Sequence, residues 1–285
     1  MKKSVWLLGL LPLLLGLAGD AQEEKLTLQF GPAAGTTLVY AINGQVGVAG
    51  KDLLGKDLTL NAASVGEIRL AVRAAGRDKI LAGLTSPGID VQIQYADKTE
   101  SQTLKTEGGK ALEVEFNRTG KVTNVTGADS LTQGTVLNFS IPQIVRDYFP
   151  AFPAQPVAQG DQWVERRKLT IPFQGFELQA ELTARYTLDS VFPSPEGRKA
   201  VVSAAYTVTV SGAKDLNGST GAFEGSGAGS GFLNLLVDRG YFTEYRIDFK
   251  TQAAFVMKQG TKRLLEMPFT FSVVADVNLL EGGTQ

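Results

Sequence analysis

Ser211-Gly212-Ala213-Lys214 has the Ser-x-x-Lys spacing of acyl-serine enzymes. In that chemistry the Lys sits one helical turn from the Ser and takes its proton. Here the tetrad falls between strand-like stretches, and no Ser-Asp-Asn or Lys-Thr-Gly partner accompanies it. So short a pattern arises by chance in a chain of 285 residues, and a polar hairpin turn is the preferred reading. Asp215-Leu216-Asn217-Gly218 echoes a calcium loop, which needs oxygen ligands at alternate positions and a Glu at the twelfth. Ser219 and Ser226 occupy the fifth and twelfth positions instead, which leaves an Asn-Gly turn. Glu113 and Glu115 flank Val114, about 7 Å apart on one strand face. Glycosidase carboxylates can have that separation, but they come from different elements in an aromatic-lined cleft. A solvated outer face suits this pair better.

Composition narrows the chemistry further. The chain has no Cys and no His. That removes disulfides, thiolate nucleophiles, iron–sulfur clusters, Cys- or His-bound metals and imidazole bases. Neither a cofactor nor a metal is expected, and the reading is non-enzymatic, with a carboxylate-only mechanism left open. With 28 basic and 29 acidic side chains the net charge is −1, against the basic surplus of a nucleic-acid binder.

The N-terminus carries an export signal. Met1-Lys2-Lys3 is basic, and Val5 to Leu17 is apolar apart from Gly9, Pro12 and Gly16. Gly19 and Ala21 supply the small residues of a cleavage site. The apolar run is shorter than the roughly 18 residues a membrane span needs. Residues 1–21 are therefore expected to be removed, leaving no transmembrane helix and a chain that starts at Gln22. No Cys follows the cleavage site, so lipoprotein anchoring is not expected.

The elements that must position any site are strands. From Leu178 to Leu188 the even positions are apolar and the odd ones polar. A strand gathers such residues on one face, whereas a helix scatters them. The pattern recurs at Ile68–Val72, Val91–Tyr95, Leu112–Phe116, Val202–Val210 and Phe269–Leu279, with turn residues between. One-sided alternation implies antiparallel strands with one wet face. Several stretches exceed the usual 5–6 residues, which favours a strongly curved sheet or barrel.

The rhythm breaks in the middle. Pro142 to Phe149 suits a short helix with Pro at its first turn, and Pro150, Pro153 and Pro156 then interrupt regular structure. This divides the mature chain into a first β-unit at 22–140, a helix and Pro-rich connector at 141–156, and a second β-unit at 157–285. The turns Asn117-Arg118-Thr119-Gly120 and Asp238-Arg239-Gly240 raise the idea of a diverged duplication. The run from Tyr148 to Trp163 resembles the Pro-Val-x-x-Gly-Asp-x-Trp connector of an uncharacterised family of secreted bacterial β-proteins. More distantly, these resemble lipoprotein-carrier half-barrels, in which a curved sheet wraps a helix around an apolar cavity. The resemblance implies a fold and an apolar ligand class, and no catalytic residue.

Two features remain. Gly225, Gly227, Gly229 and Gly231 alternate with Ser and Ala, so in a strand they would bare one face, for a sharp bend or a close approach. The other reading is a flexible linker; the strand is preferred because Phe232 to Val237 continues it. Tyr148, Phe149 and Phe152 would line an apolar ligand site or pack the two units together. The expected fold is mainly β: two curved antiparallel units, half-barrel or sandwich-like. The expected protein is periplasmic or extracellular and binds a lipid or other apolar ligand. A structural or adhesive module that binds another envelope component is the alternative. An outer-membrane barrel ranks third, because Tyr and Trp girdles are sparse and no aromatic strand end closes the sequence.

Overall fold

The computed structural model describes residues 24–51, 56–95, 97–106, 110–127, 146, 149–173, 176–216 and 218–284. Within them twelve strands form one antiparallel sheet. They are β1 (Thr36–Lys51), β2 (Asp57–Ala75), β3 (Lys79–Tyr95), β4 (Lys98–Leu104), β5 (Leu112–Asn117), β6 (Val122–Thr126), β7 (Gln162–Phe173), β8 (Phe176–Ser194), β9 (Gly197–Asp215), β10 (Thr220–Leu236), β11 (Tyr241–Gln259) and β12 (Lys262–Thr284). The strand order is β6-β5-β3-β2-β1-β12-β11-β10-β9-β8-β7, with β4 also paired to β3.

This is an up-and-down meander whose first and last strands pair. The ladder from Thr36↔Thr284 to Gly50↔Phe269 joins the 22–140 strands to the 157–285 strands in a single sheet. Among the described residues no ladder links β6 to β7, so the seam lies there. The helix expected over Pro142–Phe149 falls, except for Arg146 and Phe149, outside the described residues.

The alternation sorts the two faces. Leu38, Tyr40, Ile42, Ile68, Leu70, Leu84, Phe116, Tyr186, Leu188, Val202, Tyr206, Tyr245 and Val277 turn inward and are buried. Ion pairs lie on the outward face: Arg73–Glu113, Lys79–Glu115, Arg246–Asp276 and Lys258–Glu224. Glu113 and Glu115 are thus surface partners of basic residues.

The glycines lie on the inward face of β10, level with Ala253, Thr251, Phe249 and Ile247 of β11. A Cβ on Gly227 would overlap the Lys250 carbonyl and Thr251, and one on Gly229 the Asp248 carbonyl and Phe249. On Gly231 it would meet the Arg246 carbonyl and the Tyr206 ring. Across this crease of bare backbone the Tyr206 hydroxyl of β9 comes within 3.4 Å of the Tyr245 hydroxyl of β11.

Two segments fill one end of the curl. Residues 24–31 run in through a Leu26↔Val157 bridge, bury Leu28 and Phe30, and donate from Phe30 N–H to the Arg118 carbonyl. The connector crosses the seam. Phe149 packs on Phe30, Tyr40 and Phe116 on one side and on Phe242 on the other. Phe152 N–H donates to the Thr119 carbonyl, while Trp163 Nε1 donates to the Ala151 carbonyl at 3.1 Å. The connector therefore joins two edges that, among the described residues, no strand pairing joins. At the other end Phe176, Phe223, Phe255 and Phe269 pack together with Met267, Leu178 and Val48.

Candidate ligand groove

None of the sequence-level catalytic patterns assembles. Ser211 to Lys214 lie within β9, not between strands. In extended chain a Ser and a Lys three residues apart point to opposite faces, so the Lys cannot serve the hydroxyl. Asp215 Oδ1 accepts from Gly218 N–H at 3.1 Å, and Gly218 has a φ of 88°, so this segment is a side-chain-closed turn. Asn217 lies outside the described residues, as does Tyr148. Phe149 and Phe152 are both 3% exposed and belong to the core.

The sequence reading missed a charged pair inside the apolar curl. Glu165 and Arg167 of β7 share the inward face with Trp163, opposite Ala184 and Leu182. Arg167 donates to Glu165 through Nε at 2.7 Å and Nη2 at 3.0 Å, and to the Phe149 carbonyl at 2.6 Å. Tyr186 OH donates to Glu165 at 3.3 Å, and the Tyr206 and Tyr245 hydroxyls are 3.4 Å apart. Burial alone would weaken the Arg167 charge; Tyr245 and Glu165 outweigh it and raise its pKa above the usual guanidinium range. Burial likewise raises the Tyr186 and Tyr206 hydroxyls. The Arg167 bond to the Phe149 carbonyl ties β7 to the connector. The signal was present in the period-2 continuation Trp163, Glu165, Arg167.

A groove of about 930 Å³ lies where β8 runs on past the first residue of β7. Leu26, Val191, Phe192 and Pro193 share its lining with Glu24, Gln159, Thr187, Asp189 and Arg198, so apolar and polar groups meet there. Its shape follows from one irregularity. A bulge between Leu188 and Ser190 inserts Asp189 as an extra residue against β9. Beyond it the inward parity passes from even to odd positions, so Phe192 turns outward and is 43% exposed. Gly160 N–H bonds the Leu188 carbonyl at 2.7 Å, and Leu188 N–H bonds the Asp161 carbonyl at 3.1 Å, which holds the connector's end against the groove.

Arg198 is fixed by Asp238, which accepts from its N–H at 2.7 Å, Nε at 3.0 Å and Nη2 at 2.8 Å. Those bonds, the side-chain ones foremost, hold the Asp238 carboxyl below the usual carboxylate range. A depressed folded pKa contributes stability above the unfolded value of about 4 and loses it as pH falls through the folded value. Protection of the Arg198 amide, measured relative to its intrinsic exchange rate, should therefore persist to below about pH 4 and fall only in stronger acid. In Asp238→Asn that protection should be reduced throughout.

The fold and groove define an all-β protein: one curled antiparallel meander with a groove beside β8. No protein-family model matches the chain, and no curated protein matches it. Among solved structures it is similar to an outer-membrane channel from Pseudomonas putida F1. The identity is 9% and the TM-score 0.26, over 88% of this chain and 98% of that one. At that TM-score the likeness transfers neither fold nor function.

Proposed function

We propose that this is an exported, non-enzymatic envelope protein that binds a lipid-class ligand, apolar along its length and polar at one end. The observation that carries the reading is the exposed Phe192, which shares a groove with Leu26, Val191 and Pro193 beside the charged Glu24, Asp189 and Arg198. A groove that mixes apolar and charged side chains suits an amphipathic molecule. The N-terminal export signal supports delivery to the envelope. The outward ion pairs count against a bilayer-spanning barrel, because a charge facing mid-bilayer lipid costs about 2–4 kcal/mol.

Mass spectrometry of organic extracts from the native protein tests the proposal. Wild type should carry a lipid, and Phe192→Asp, on an exposed side chain, should lose it while melting at the same temperature. Wild-type protein free of lipid, or equal loading of the variant, would overturn it.

A further inference from the structure

A second hollow, of about 340 Å³, opens on the outward face over β12, β1, β2 and β3. It is independent of the groove. Gln45, Asn61, Gln92 and Gln94 surround it with Ser272, and the exposed Ala63 forms part of its floor. The strand register makes this a grid: Asn61 lies opposite Gln94, and Ala63 opposite both Gln92 and Gln45. Neighbouring positions across strands are about 5 Å apart, and Gln92 and Gln94 about 7 Å apart along one strand. Among the described residues none of the four carboxamides makes a side-chain hydrogen bond.

The lining decides the ligand class. Each carboxamide offers two N–H donors and an acceptor oxygen, and Ser272 offers a hydroxyl. No cation lines the hollow to hold a phosphate or carboxylate, and no anion to hold a metal or amine. Its apolar members are Val46, Val274 and small alanines, too few for a lipid chain. The first charges, Asp90, Asp248 and Lys250, stand one position further out. What remains is a neutral molecule with many hydroxyls that donate and accept in pairs. We infer that this hollow is a binding site for neutral saccharide chains, read by paired carboxamides on a rigid four-strand platform.

The test is NMR titration of the isotope-labelled protein with cellohexaose, chitohexaose and maltohexaose. At least one should shift the side-chain NH₂ signals of Gln45, Asn61, Gln92 and Gln94 saturably. Ala63→Trp should fill the hollow, and Gln92→Leu with Gln94→Leu should strip one side of the grid. Each should weaken binding by at least about tenfold, the size of losing one or two hydrogen bonds, with melting unchanged. No saturable shift with any of the three sugars up to about 10 mM, a weak binding limit, would overturn the inference. So would binding that survives in both variants. If Ala63→Trp fails to fold, the double variant decides.

Discussion

Gly229→Val should lower the melting temperature by on the order of 10 °C, while Ser226→Val on the same strand changes it little. Both substitutions add the same side chain to β10, three residues apart, and differ in the face they load. At Gly229 the new Cβ overlaps the Asp248 carbonyl and the Phe249 backbone of β11. These atoms belong to a paired strand and cannot swing aside as a side-chain tip can. Overpacking typically costs about 1–3 kcal/mol, and obstruction by backbone places this case at the top of that range. Ser226 faces outward and is exposed, so a side chain there meets solvent. Gly227→Val should behave like Gly229→Val, because the Lys250 carbonyl and Thr251 crowd its Cβ position. Equal, small shifts for Ser226 and both glycines would defeat the close-packed crease and favour a flexible linker.

Arg167→Met should destabilise the fold by about 3 kcal/mol, the lower end for removing one member of a buried pair. Arg167 and Glu165 are only 14% and 18% exposed, so the surviving carboxylate stays largely out of water. Among the described residues it keeps the Tyr186 hydroxyl, and the Phe149 carbonyl loses its 2.6 Å donor. Replacing both partners, Arg167→Met with Glu165→Leu, should recover most of the loss, because no charge is then stranded. Denaturant melts of the two single variants and the double variant would measure this cycle. A double variant as unstable as the sum of the singles would show that the pair acts through something other than its own neutralisation. Placing a pair of charges on the inward face of β7 has a second consequence. Among the described residues β7 is one of the sheet's two edges, and inward charges, Arg166 and Lys168 outside, and Pro172 in the strand all discourage another chain from adding to it.

Much of the strand content was legible because period-2 alternation is a local property. Leu178 to Leu188 declares its strand and its buried face without reference to any partner. The same parity put the four glycines on one face of one strand, and the turns at Gly120, Gly197 and Gly240 take the positive φ that glycine permits. The absence of Cys and His set the limits of the chemistry from composition alone. Pairing partners and register are long-range, and period 2 does not encode them. The β1–β12 ladder that joins the two halves, and the β11 backbone that crowds the glycines, belong to tertiary structure alone. Phe192 shows the physical reason most clearly. By alternation from Leu188 it belongs inside; one extra residue, Asp189, accommodated opposite β9, reverses every following side chain and turns it to the groove. Whether an extra residue is absorbed as a bulge depends on the strand across from it, and that strand is positioned only when the sheet assembles.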